Sequence, residues 1–199
     1  MSSEIETTRF FTIGNSKVSI GRFSYGFENI IVNQWGEGAS LGIGSFCSIA
    51  SATIFLGGNH RVDWITTYPF GHIYADRLGG RRIKGHPSTN GDVIIENDVW
   101  VGHNTTIMSG VTIGDGAVIS ANSHIVNDVA PYSIVGGNPA REIKLRFSPE
   151  IRKLLLELKW WELPLDFIKT KAAELCHYPD AEMLHNLLEY SQNYPRSDY

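Results

Sequence analysis

The seven histidines are the residues of this sequence best suited to chemistry at neutral pH, since an imidazole ordinarily titrates near about 6.5. His103 and His124 fall at outward positions of a repeating pattern, where a solvated side chain is the ordinary outcome. His177 and His185 sit in a polar tail, and His72 and His86 in a long loop without an evident partner. His60 stands apart. It lies in Gly57-Gly58-Asn59-His60-Arg61-Val62-Asp63-Trp64, where the chain leaves a regular segment, and loops held by rigid elements are where reactive side chains gather. By position alone, a general base and a structural histidine fit equally well. No two histidines between 60 and 124 are four residues apart, so no metal is expected. Cys47 and Cys176 make no disulfide framework and fit a reducing compartment. Cys47 faces inward by repeat phase, as a core thiol would, which leaves covalent catalysis little support.

The elements that position these residues announce themselves by a period of six. Ile95, Val101, Ile107, Ile113, Ile119 and Ile125 recur without a gap. Two residues before each lies Val93, Val99, Thr105, Val111, Ala117 or Ser123. On a helix, positions six apart would scatter by about 240° around the axis, and a simple alternating strand gives no period of six. The solution is a coil of three short strands, 18 residues to the turn, stacked on the next coil as parallel strands about 4.8 Å apart. A second block carries the same signature, with Ile43, Ile49 and Phe55 as its inward residues, and Val18 to Gly21 form one earlier rung. The offset from Ile43 to Ile95 is 52, not a multiple of six, so residues from about 57 to 92 must loop out of the prism. A loop that long in a compact domain is usually functional. Residues 22 to 38 read as a shorter excursion.

Beyond Val129 the repeats stop. Ser148-Pro149-Glu150 reads as an N-cap, a proline at the first helical position and an acid in the first turn. Ile151, Leu154, Leu155, Leu158 and Trp161 follow on one helical face, with a second helix after Pro164. These helices are expected to cap the open end of the prism. The domain division is therefore residues 1–147 for the β-helix with its loop and 148–199 for a helical extension. The net charge of −4 and pI near 6.0 argue against nucleic-acid binding. Lys84 with Arg81-Arg82 is the densest basic spot, no more than a solvated loop. The opening Met1 to Phe11 lacks the plan of a secretory signal, and no apolar run reaches the ~20 residues of a membrane span. A cytoplasmic protein is expected.

Four strings in order, with the repeats, resemble the hexapeptide-repeat xenobiotic acetyltransferases of the chloramphenicol and streptogramin type. They are Gly57 to Trp64 with Thr67-Tyr68-Pro69-Phe70, Asn97-Asp98-Val99-Trp100-Val101-Gly102, Gly136-Gly137-Asn138-Pro139-Ala140, and Lys159-Trp160-Trp161-Glu162-Leu163-Pro164. The likeness runs from about Ile20 to Lys169. It implies a mainly β fold, a left-handed parallel β-helix with an excursion loop and C-terminal α-helices. The hand comes from the resemblance alone. It also implies a homotrimer with sites between prisms, and acetyl transfer from acetyl-CoA to a hydroxyl with His60 as general base.

On that basis His103, Ala121 and Pro139, each 18 residues apart, form the edge along which the cofactor would lie. Asn138 and Ala140 flank that edge, Arg141 and Lys144 would meet the CoA phosphates, and Trp100 would wall the thioester. Tyr25, Trp35, Asn59 and Tyr68 are the residues expected around the acceptor. Those relatives carry a longer segment where this chain has only Arg22 to Ala39, and His86 to Asp92 looks more like sugar O-acetyltransferases. A carbohydrate acceptor is therefore favoured, with antibiotic modification as the alternative. A non-catalytic β-helix scaffold would need neither the His60 loop nor the Asn138-Pro139-Ala140 edge.

Overall fold

A computed structural model describes residues 5–194. The chain opens with β1 (Arg9–Ile13) and β2 (Ser16–Ile20), an antiparallel hairpin, followed by β3 (Ile30–Asn33). Then come β4 (Leu41–Ile43), β5 (Ser48–Ile49) and β6 (Ala52–Phe55), and after the long loop β7 (Val93–Ile95), β8 (Trp100–Val101) and β9 (Thr105–Ile107). Next are β10 (Thr112–Ile113), β11 (Val118–Ile119) and β12 (His124–Ile125), and a hairpin of β13 (Ser133–Gly137) and β14 (Ala140–Leu145). Three helices finish the chain: α1 (Pro149–Leu158), α2 (Leu165–Leu175) and α3 (Ala181–Ser191).

Three sheets form the faces of a prism. They are ordered β1-β2-β4-β7-β10 on face A, β14-β13-β11-β8-β5 on face B and β12-β9-β6-β3 on face C. Ile94 pairs in parallel with Thr112, Trp100 with Val118 and Thr106 with His124, each 18 residues apart. The six recurring aliphatics are at most 1 % exposed and the six residues two places before them at most 2 %. Each fully buried isoleucine or valine contributes about 1.5–3 kcal/mol. The offset of 52 is explained by Ser48 pairing with Trp100 and Gly42 with Ile94, with the loop inserted at the corner between faces C and A.

Three expectations need correction. Ile54, not Phe55, faces the core: Ile54 pairs with Ile107 and is fully buried, whereas Phe55 is half-buried. The corner before β6 is one residue shorter than its counterpart. Ser51 Oγ completes it, accepting from the Asn104 N–H at 2.8 Å and bonding His103 Nδ1 at 2.9 Å. Residues 22 to 38 are not a plain excursion either, because Tyr25 bridges Ser48 and β3 pairs with β6, which builds a full coil. Finally, the helices do not sit over an open end. Phe23, Phe46, Asp98, Gly116 and Tyr132 occupy one corner of successive coils, all with φ between 55° and 65°. Phe46 packs on Trp160 at 4.6 Å and Tyr132 on Phe147 at 5.9 Å, so the helical segment runs alongside this edge. The helices keep a core of their own around Leu158, Leu163, Phe167 and Leu187. Buried Arg22 joins the two cores, its Nη2 donating to the carbonyls of Trp161 at 2.8 Å and Leu163 at 2.5 Å.

Candidate active site

The loop of residues 57–92 is stapled at its base. Asn59 and Ser88 exchange backbone hydrogen bonds at 2.9 and 3.0 Å, Asn59 Nδ2 donates to Ser109 Oγ at 3.0 Å, and Thr89 Oγ1 donates to the Leu56 carbonyl at 2.6 Å. Gly58 has φ +78°, and a Cβ there would meet the Trp35 ring at 2.3 Å, so only glycine lets the chain turn beneath that indole. Just beyond this base, His60 Nδ1 lies 2.7 Å from the Thr67 carbonyl. A carbonyl oxygen only accepts, so Nδ1 carries the hydrogen and Nε2 is left as the basic nitrogen. Arg61, the next residue, pairs with Asp63, which holds that carboxyl down at about 2, and its guanidinium lies 5.0 Å from the Trp64 ring.

His60 opens onto a cavity of about 170 Å³ lined also by Trp35, His72, Ile73, His86 and Pro87. His72 and His86 have no evident partner in the sequence, yet the fold brings both to the cavity beside His60. Among the described residues, no three such side chains are arranged to hold a metal ion. The His86 ring stands edge-on to that of His60 with centroids 4.6 Å apart. It is 8 % exposed, and neither of its nitrogens makes a hydrogen bond of good geometry, although the Thr67 carbonyl lies close enough to favour a proton on the ring. Burial, and then the neighbouring His60, lower its affinity for a proton below that of an ordinary imidazole.

The remaining expected site residues divide among several places. Trp35 joins the cavity, stacked 6.4 Å from Phe55. Asn59 spends its amide on the scaffold. Tyr68 packs edge-on against Phe70 at 5.2 Å and does not line the cavity. Tyr25 lies on face B, where it bridges Ser48, the partner of exposed Trp100, away from the His60 corner. His103 and Ala121 share the corner between faces B and C, where the Asn122 N–H donates to the His103 carbonyl and Asn104 Nδ2 to Asn122 Oδ1, both at 2.9 Å. The turn of the last hairpin comes to the same corner through Asn138 Oδ1, 3.2 Å from His124 Nδ1. Pro139 is exposed and Ala140 half-buried there, with exposed Arg141 and Lys144 following on β14.

Two nucleophiles drop out on geometry. Cys47 is fully buried, its Sγ donates to the Glu96 carbonyl at 2.9 Å, and burial pushes its thiol up to about 12. Gly38-Ala39-Ser40-Leu41-Gly42 matches a Gly-x-Ser-x-Gly string, but Ser40 leads into β4 instead of a helix, so no nucleophile elbow forms. At the opposite edge, burial raises the Asp98 carboxyl to about 6 although Arg146 lies 3.8 Å away.

Residues 92–127 match the model described as bacterial transferase hexapeptide (six repeats). The chain is 40% identical over 178 residues to a chloramphenicol acetyltransferase of Morganella morganii, covering 82% of this chain and 84% of the relative. It is 51% identical over 142 residues to the "Probable macrolide acetyltransferase" of Lysinibacillus sphaericus, covering 68% and 76%. Among solved structures, a "polySia specific acetyltransferase" superposes with TM-score 0.50 at 29% identity, covering 66% of this chain and 53% of that one. The coil, its residue spacing and these relatives agree: the chain belongs to the hexapeptide-repeat acetyltransferase family that includes the chloramphenicol acetyltransferases.

Proposed function

We propose that this acetyltransferase moves the acetyl group of acetyl-CoA to a hydroxyl of an antibiotic-type acceptor, with His60 as general base. The observation that carries the reading is the 2.7 Å contact of His60 Nδ1 with the Thr67 carbonyl, which leaves Nε2 basic at the mouth of a cavity. His60 Nε2 takes the hydroxyl proton as the oxygen attacks the thioester carbon, and then returns that proton to the departing thiolate. Positioned base catalysis of this kind is worth about 10²–10⁴-fold. The sequence favoured a carbohydrate acceptor. The names of the relatives aligned over most of the chain instead favour an antibiotic, since they are chloramphenicol and macrolide enzymes.

The residues present fit a CoA chain. His103, Ala121, Asn138 and Pro139 form an exposed corner with stepped backbone groups, Arg141 and Lys144 offer cations to its phosphates, and Trp100 offers an indole to its thioester end. When bound there, acetyl-CoA supplies the activated acyl group. We infer a left-handed coil and a homotrimer. In one prism the His60 corner and the His103 corner are separated by the whole of face C, so a neighbouring prism is needed to bring a His60 loop to a cofactor edge. Exposed Ile31, Ile94 and Trp100 on the flat faces suit burial in such contacts. A thiol-release assay with acetyl-CoA tests the acceptor. Turnover is expected with chloramphenicol or a macrolide, and turnover only with sugars would reverse the assignment.

A further inference from the structure

A buried polar side chain without a well-formed hydrogen bond calls for a reason, because leaving such a group poorly paired opposes folding. His86 is such a side chain, and it stands beside the histidine on which the proposed chemistry depends. Its two nitrogens are closed off from solvent, so in this arrangement they are not offered to an acceptor in the cavity. What His86 contributes is a neutral ring packed edge-on with that of His60, the two planes at 83° and the centroids 4.6 Å apart. The titratable and charged groups around it are His60, His72 and Arg61, each of which opposes a proton on His86, while the Thr67 carbonyl favours one and is outweighed.

Two restraints then act on His60. The Thr67 carbonyl holds Nδ1 from one side, and the edge-on ring limits rotation about the bond that carries the imidazole. The first alone is one hydrogen bond on an exposed side chain, and a ring flip, which puts Cδ2 where Nδ1 was and Cε1 where Nε2 was, would break it. A second wall makes the flip costly. Resting on the reading of His60 as the base, we propose that His86 is a positioning residue: its buried ring clamps the His60 imidazole edge-on, so that Nδ1–H stays on Thr67 and Nε2 stays toward the acceptor. A base held in one tautomer spends all of its time in the productive form, and small losses of alignment at such sites cost rate steeply.

The test reads His60 directly as well as through turnover. Long-range ¹H–¹⁵N spectra of the intact protein at pH 8 report which nitrogen of His60 carries the hydrogen, without any acceptor present. His86→Phe keeps a flat ring against His60, and His86→Ala removes it. The expected result is one Nδ1–H tautomer in wild type and His86→Phe. In His86→Ala we expect a mixture of tautomers and a roughly 10-fold fall in kcat in the acetyl-CoA thiol-release assay, with the Kd for acetyl-CoA unchanged. A single Nδ1–H tautomer in His86→Ala, or a mixture in His86→Phe equal to that in His86→Ala, overturns the clamp. If His86→Ala fails to fold, His86→Gln replaces it with the same two outcomes. The spectra stand apart from the base assignment. A folded His60→Ala enzyme that keeps its activity would remove the base, whereas the tautomer of His60 in the His86 variants still decides the clamp.

Discussion

At the residue scale the fold decides what each ionisable group can do, and Asp98 shows it away from the candidate site. Burial raises its carboxyl to about 6 from an ordinary 3.8, so the folded state holds that proton more tightly than the unfolded chain. Its contribution to stability is therefore full below about pH 3.8 and is lost as pH rises through 6. Asp98→Asn, which has no proton to lose, should melt at a higher temperature than wild type at pH 8, and the advantage should shrink toward pH 4. Thermal unfolding at both pH values checks this, and an unchanged difference would contradict it. His60 was legible in the sequence because a Gly-Gly-Asn-His string leaving a repeat block is a local signal. Its contacts with Thr67 and His86 were not, since both depend on how a long loop folds back, which no period encodes.

At the element scale the repeats from Val93 to Ile125 could be read residue by residue, because a coil of fixed length forces each sixth side chain inward. The reading failed at Phe55, where one missing corner residue shifts the inward position to Ile54. It failed again for the helices, because amphipathic spacing says that a face is buried but not against what. Two substitutions test these elements. Ile107→Ala, in the middle of the stacked core, should cost about 2–5 kcal/mol in denaturant unfolding. Arg22→Ala strips the carbonyls of Trp161 and Leu163 of a charged donor, and hydrogen bonds to charged groups are worth about 1.5–3 kcal/mol each. Amide exchange should quicken in α1 and α2 of that variant while β7 to β12 stay protected. Uniform quickening would mean that the helices are not a separately tethered layer.

At the scale of the whole molecule, the prism separates the candidate base from the candidate cofactor edge by one face, which makes assembly part of the proposed function. Analytical ultracentrifugation should give three times the 22.2 kDa chain mass, and a monomer at micromolar concentration would remove an intersubunit site. Acetyl-CoA should raise the melting temperature, since a ligand that binds only the native state at 100-fold over its Kd stabilises it by about 2.7 kcal/mol. The central claim is that His60 removes the acceptor proton. Its most direct test is steady-state turnover of a His60→Ala protein shown by unfolding and ligand-binding measurements to be folded and to bind acetyl-CoA as wild type does. The expected result is a fall in kcat of about 10²–10⁴-fold with the Kd for acetyl-CoA unchanged. A folded, acetyl-CoA-binding variant that keeps more than about a tenth of wild-type kcat would contradict it, because losing a positioned base costs at least about 10²-fold.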